Sequence, residues 1–268
     1  MNNLWEIPKY EIKEISQRKN KYCLCIPVIN EGEKIRYQLE RAKKANINEI
    51  VDIIICDGGS TDGSLEIDFL KEMGVSVLLT KKDTGKLSAQ LRMGYAYALG
   101  RGYEGIITVD GNGKDNIEAV PNFCKELDNG YDMIQGSRYL PGGKAVNTPK
   151  IRHFAVKLLH VPIISKAANF KYTDTTNGYR GYSKKYLLDD RVQPFRKIFD
   201  TYELLAYLSV RAPQLGLKTK EIPVERVYPK KGKTPTKISF IKGNYLLLKI
   251  LWETLNNKYN PEGENKNG

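Results

Sequence analysis

The chain has 268 residues and 41% hydrophobic content, enough for one large α/β domain with its own core. Its 43 Lys and Arg against 31 Asp and Glu give a formal net charge of +12, which favours polyanionic partners: nucleic acid, a nucleoside diphosphate or an anionic membrane face. No basic DNA-reading helix or aromatic-studded RNA-binding strand stands out, so nucleic acid is not expected, and Cys23, Cys25, Cys56 and Cys124 lack C-x-x-C spacing and read as small core residues.

Residues 1–20 are polar and charged, without the apolar core of a signal peptide, and read as an N-terminal extension of a protein in a reducing, cytoplasmic setting. From residue 22 the pattern alternates: strand 22–29, a charged helix 31–46 with Ile35, Leu39 and Ala42 on one face, strand 50–56, helix 64–73, strand 75–80, helix 87–99, strand 106–109, helix 117–127 and strand 131–134. Strands separated by helices of this length pair in parallel through right-handed crossovers. The fold class is therefore α/β, a doubly wound, mostly parallel, Rossmann-like nucleotide-binding sheet.

Beyond Gly136 the texture loosens: a loop at 136–143, a basic, apolar-rich helical region at 151–170 interrupted by Pro162, a polar turn-rich loop at 174–182, a helix at 200–215 and a strand at 217–228. We expect one domain over 21–240, with a donor half 21–140 and an acceptor half 141–240, then an amphipathic helix 241–255 and a disordered tail 256–268. The apolar run 245–252 is well short of the roughly 20 residues that span a bilayer.

Two strands end on carboxylates. Ile53-Ile54-Ile55-Cys56 runs into Asp57-Gly58-Gly59-Ser60, and Ile106-Ile107-Thr108-Val109 runs into Asp110-Gly111-Asn112. Carboxylates on the C-terminal edge of such a sheet present a ligand or a metal. Local readings exist as well: Asn30 as a helix N-cap with Glu33 completing a capping box, and Asp57 as the head of an Asx turn.

Taken together, Pro27-Val28-Ile29-Asn30-Glu31, Asp57-Gly58-Gly59-Ser60-Thr61-Asp62-Gly63, Gly85-Lys86-Leu87-Ser88-Ala89 with Arg92 and Gly94, Asp110-Gly111-Asn112, Gly136-Ser137-Arg138 and Asp174-Thr175-Thr176-Asn177-Gly178-Tyr179-Arg180 resemble the ordered motifs of glycosyltransferase family 2, in its polyprenyl- and dolichyl-phosphate sugar transferase branch. The resemblance implies a GT-A fold and an inverting transfer from a nucleoside-diphosphate sugar, assisted by Mg2+ or Mn2+. It assigns donor binding to Pro27, Asn30, Glu31, Asp57, Gly58, Ser60, Lys86, Asp110, Gly111, Asn112 and Arg138. Metal binding falls to Asp110 and Asn112, acceptor binding to Arg138, Asp174, Gly178, Arg180 and Lys237, and catalysis to Asp110, Arg180 and Glu203. One departure weakens the metal site: Asn112, a neutral oxygen donor, stands where the family has a second carboxylate, with Asp115 as a substitute or else a helix N-cap.

The acceptor decides the chemistry. A sugar hydroxyl needs a general base, and the resemblance implies Glu203 for it, aligned with a carboxylate the family places near the acceptor, unless it is an ordinary helix carboxylate; a lipid phosphate arrives ionised and needs only cations. Segments 151–159 and 240–252 mix apolar residues with Lys and Arg, as interfacial helices do, although core-facing helices share that pattern. The cationic run 229–237 is a phosphate clamp or a plain loop, and His153 and His160 read as surface or core residues. The expectation is a protein at the inner face of an anionic membrane, using a lipid-phosphate or glycan acceptor in surface-glycan assembly. The alternatives are transfer to a saccharide hydroxyl in capsule or lipopolysaccharide synthesis, and a non-catalytic nucleotide-sugar-binding protein, for which Asn112 is the argument. Base, sugar and oligomeric state stay open.

Overall fold

The computed structural model describes residues 5–229 and 240–262, the side chains of 240–242 and 244 excepted. In chain order the strands are β1 (Tyr10–Glu14), β2 (Tyr22–Val28), β3 (Asp52–Asp57), β4 (Val75–Lys81), β5 (Gly105–Thr108), β6 (Met133–Ser137), β7 (Lys144–Val146), β8 (Arg180–Ser183), β9 (Thr219–Pro223) and β10 (Glu225–Val227). The helices are α1 (Glu33–Lys44), α2 (Ile47–Ile50), α3 (Ile67–Glu72), α4 (Leu87–Gly100), α5 (Val120–Asp128), α6 (Lys150–Ala155), α7 (Val161–Ala168), α8 (Lys184–Leu187), α9 (Glu203–Gln214) and α10 (Phe240–Leu255).

Strands β2, β3 and β5 are buried along their whole length. Such continuous apolar runs form where helices cover both faces of a parallel sheet. The pleat sorts their side chains. Tyr22, Leu24, Ile26 and Val28 join Ile35 and Leu39 of α1 and Phe123 of α5 in one core. Cys23 and Cys25 join Met93 and Ala96 of α4 and Leu204 and Leu208 of α9 in the other. The cysteines are free and buried, as expected. The sheet runs β1-β4-β3-β2-β5-β8-β6-β9, parallel through β4, β3, β2 and β5 and again between β6 and β9.

Several sequence expectations need correction. The N-terminal extension contains β1, which pairs antiparallel with β4 from Tyr10↔Lys81 to Glu14↔Val77, and Trp5 stacks on Phe195 at 4.1 Å. Its charged, exposed side chains suit an edge strand and hid it from pattern reading. Residues 21–140 and 141–240 contribute to one sheet, with β8 inserted antiparallel between β5 and β6. The strand expected over 217–228 divides at Val224: β9 stays in the main sheet, and β10 forms a two-stranded parallel sheet with β7. Pro162 does not break the helical region 151–170. A π turn at Val156–His160 precedes it, and Pro162 sits in the first turn of α7, where a missing N–H is tolerated. The tail is ordered at least to residue 262: Tyr259 is buried, lies 5.9 Å from Phe199 and donates to Glu253 at 2.6 Å. The remainder of the tail, Lys237 and most of the cationic run 229–237 lie outside the described residues. Among the described residues, no helix is long and apolar enough to cross a membrane.

Candidate active site

The C-terminal ends of β2 and β3 lie side by side, Val28 opposite Asp57, with β5 on the other flank of β2. Gln90 of α4 donates to the carbonyls of Val28 at 2.7 Å and Cys56 at 2.9 Å, tying the two ends together. The Gly58 N–H adds a bond to Val28 O at 2.8 Å. Asp57 heads the expected Asx turn, its Oδ1 accepting from the Ser60 N–H at 2.9 Å and hydroxyl at 2.6 Å. Asn30 is no N-cap: it adopts φ 46°, and its Oδ1 accepts from the Thr61 N–H at 2.8 Å, so it links the two loops rather than starting α1. Glu31 pairs with Lys34 at 3.2 Å. Lys86 is exposed just ahead of α4, with its ammonium 5.8 Å from the Tyr202 ring.

Asp110 follows β5 with its side chain 27% exposed. Its Oδ2 accepts from Arg226 Nη2 at 3.0 Å and from Asn112 Nδ2 at 3.3 Å. Arg226, on β10 and almost buried, gives its other terminal nitrogen to Asp115, whose side chain is fully buried and whose Oδ1 has no partner. Asp115 is thus an ion-pair residue, not a helix cap. Burial pushes its carboxyl above the usual range, against the opposing pull of Arg226. The loop packs tightly. A Cβ on Gly111 would meet Val28 Cγ2 at 2.8 Å and Pro27 O at 2.9 Å, and one on Gly178 would lie 2.5 Å from Asp110 Oδ1.

Beside this triad the Tyr228 ring has Lys114 Nζ at 5.2 Å and the guanidinium carbons of Arg226 and Arg152 each at 5.7 Å. Arg152 also donates to the phenol oxygen at 2.9 Å. Burial would raise the Tyr228 phenol, but Arg226 and Arg152 outweigh it and hold it below its ordinary value. Burial, reinforced by Arg226, lowers Lys114. A cleft of about 520 Å³, lined by Lys34, Arg41, Asn112, Lys114 and Tyr228 among others, opens here. Sequence reasoning missed Arg226, Lys114, Arg152 and Tyr228. The only signal was basic residues inside segments read as a strand, a turn and an interfacial helix.

The expected Mg2+ or Mn2+ site can be tested on this arrangement. Among the described residues, no cluster of three or more His, Cys, Asp or Glu side chains is placed to hold an ion. Asp110 is partly exposed and already pairs with Arg226, which it shares with Asp115. A divalent ion on the same oxygen would stand roughly 4 Å from the guanidinium, a repulsion on the order of 5–10 kcal/mol at an effective dielectric of about 20. As arranged, these residues do not fit a divalent ion.

Across the site the expected acceptor cations are already engaged. Arg138 forms a buried bidentate pair with Asp174, at 2.6 and 2.9 Å, and donates to Thr176 Oγ1 at 2.7 Å. Burial alone would raise Asp174, yet Arg138 holds it below the usual carboxylate range. Arg180 is 2% exposed and donates to the carbonyls of Asn177 at 3.1 Å, Thr175 at 3.0 Å and Leu205. The guanidinium fork spans such groups as no lysine can. Both arginines, with Asp174, fasten the 174–178 loop to β6, β8 and α9 instead of standing open for phosphate. Glu203 is buried, its carboxylate accepting from the Thr201 N–H at 2.7 Å and the Thr201 hydroxyl. That turn in turn accepts the N–H groups of Lys86 and Ser88. His160 contacts Thr175 Oγ1 at 2.7 Å, and burial with Arg180 lowers it to about 4; His153 lies edge-on to Tyr139 at 5.3 Å.

With this geometry established, comparison with known proteins gives the family. The model of "Glycosyl transferase family 2" matches residues 23–190, more than half of the chain. The chain belongs to glycosyltransferase family 2. It is 29% identical over 221 residues to an undecaprenyl-phosphate mannosyltransferase of Micrococcus luteus, covering 78% of this chain and 84% of that one. It is 28% identical over 212 residues to a polyprenol monophosphomannose synthase of Mycolicibacterium smegmatis, covering 74% of each. An uncharacterised protein of Methanocaldococcus jannaschii is 28% identical over 94% of this chain and 99% of its own length. The similarity thus runs to the polyprenyl-phosphate sugar transferase branch of the family. Among solved structures, glucosyl-3-phosphoglycerate synthase of Mycobacterium tuberculosis, in complex with Mn2+, UDP-glucose and phosphoglyceric acid, superposes with a TM-score of 0.64 at 12% identity, over 89% of this chain and 80% of that one. At that identity the likeness speaks for the GT-A fold alone.

Proposed function

We propose that this family 2 glycosyltransferase moves a sugar from a nucleoside-diphosphate donor, bound on the Asp57 and Asp110 edge, to the phosphate of a polyprenyl-type lipid at an anionic membrane surface. A phosphate oxygen of the acceptor attacks the anomeric carbon from the face opposite the leaving group. The new C–O–P bond forms as the bond to the nucleoside diphosphate breaks, and the anomeric configuration inverts. No proton has to be removed, because the acceptor is already ionised. Asp57 and Ser60 present acceptors to the base or ribose, Lys86 adds charge at the rim, and Arg152 and Lys114 beside Tyr228 meet the acceptor phosphate in the role first expected of Arg138 and Arg180.

The observation that carries this reading is the α6 and π-turn segment beside the site. It exposes Ile151 (84%), Phe154 (59%) and Leu158 (73%), and it carries Lys150, Arg152, His153 and Lys157 with no acidic residue. Such a surface suits an anionic interface. Arg152, in the same segment, reaches Tyr228, so one helix would join the membrane face to the site. The saccharide-hydroxyl alternative asks Glu203 to act as base, but its carboxylate is tied to Thr201. Flotation with vesicles containing anionic lipid tests the surface. Wild type should float, Leu158→Asp combined with Ile151→Asp should not, and a wild type that ignores such vesicles would refute it.

A further inference from the structure

The donor-site reading above, on which this inference rests, leaves one question of charge. A site with two carboxylates approaches neutrality only once a divalent ion is bound. Here Asp110 and Asp115 are offset by Arg226 and Lys114, while Asn112 adds no charge. These four charges sum to zero. We propose that Arg226, with Lys114 beside it, is the resident cation of the donor site and takes the place of a divalent ion, so that a nucleoside diphosphate binds without metal.

Three observations carry this. Arg226 spends one N–H of each terminal nitrogen on a carboxylate, Asp115 and Asp110, and so retains donors of the planar fork that suits phosphate oxygens. The strand that carries it is fixed to the Asp110 loop: the Val227 N–H bonds Lys114 O at 2.8 Å, Asn116 N–H bonds Glu225 O at 3.1 Å, and the Glu225 N–H bonds Asn116 Oδ1 at 2.8 Å. The backbone that carries Arg226 is therefore fixed against the Lys114 segment, and the Arg226 side chain is held by its two carboxylates, before any ligand arrives. Asn112 removes the carboxylate that a second bond to metal would need, and its amide stands 3.3 Å from the same Asp110 oxygen that Arg226 engages.

Calorimetric titration of UDP, GDP, ADP and CDP, in EDTA and in Mn2+, tests the proposal. Removing Arg226 alone would strand the buried Asp115 charge, so Asp115→Asn is the reference and Asp115→Asn with Arg226→Gln is the test; Lys114→Gln is a milder companion that leaves the triad whole. Wild type should bind one diphosphate in EDTA within about threefold of its affinity in Mn2+. The double variant should bind at least about tenfold more weakly than its reference in EDTA, the loss of one charge-assisted bond, and recover in Mn2+ because Asp110 is then open. Lys114→Gln should weaken EDTA binding less. Wild-type binding seen only with Mn2+, or equal EDTA affinities for the double variant and its reference, would overturn the resident cation and leave the donor site standing. Failure of every diphosphate in both buffers would remove the donor site and the inference with it.

Discussion

On the donor edge, Asn30, Ser60, Lys86 and Asp110 keep part of their side chains open, whereas across the site Arg138, Asp174, Arg180 and Glu203 are buried and spend their polar atoms on one another and on backbone carbonyls and N–H groups. Both sets belong to motifs of the same family, yet one set keeps polar atoms open and the other spends them inside the fold. The difference follows from position. Asp110 stands beyond the end of a parallel strand where the sheet stops, while Arg138 and Arg180 lie where antiparallel β8 is wedged between β5 and β6 and a long loop must be fastened; Asp57, at the end of β3, is buried and bonded to Ser60 and sides with the second set.

The comparison predicts opposite phenotypes. Arg138→Ala would leave Asp174 as an unpaired buried charge, which costs about 3–5 kcal/mol. Its thermal midpoint should fall by roughly 10 °C in calorimetry, with activity lost alongside the fold; an Arg138→Ala protein of unchanged stability but dead activity would move that residue to the chemical side. Asp110→Ala should do the reverse. Arg226 keeps Asp115 as a partner, so the melting profile should hold, while steady-state turnover falls at least about tenfold, because the guanidinium loses one of the two carboxylates that orient it at the donor edge. Equal turnover would take Asp110 out of the site. The smallest effect is on pH. His160 is lowered to about 4 from an ordinary 6.5, so the unfolded chain takes up a proton that the folded one refuses. Stability should therefore decline as pH falls from about 6.5 towards 4, by on the order of 1–3 kcal/mol, and His160→Gln should flatten that slope in denaturant titrations.

The strand ends at Asp57 and Asp110 were legible because their cause is local: an apolar run that ends on an aspartate and glycines can do little else in a parallel sheet. Three features were hidden for physical reasons. β1 carries the charges of an edge strand and lacks an apolar face. Arg226 finds Asp110 across 116 residues, a partnership no strand pattern encodes. The engagement of Arg138 and Arg180 depends on which acceptors lie within reach of their guanidinium groups, and a motif names the cation without naming its partners. Asn112 was legible as a departure, while the arginine that pairs with Asp110 and Asp115 beside it was not.

Transfer to an ionised lipid phosphate, as proposed, needs no general base. Its most direct test is the rate of sugar transfer from a panel of nucleoside-diphosphate sugars to polyprenyl phosphate in anionic vesicles, for wild type and Glu203→Gln side by side. A lipid-linked product is expected from wild type, with turnover within about tenfold in the variant, since only a base-dependent reaction would lose on the order of 10²–10⁴-fold. No product with polyprenyl phosphate, together with Glu203-dependent transfer to a saccharide hydroxyl, would contradict it.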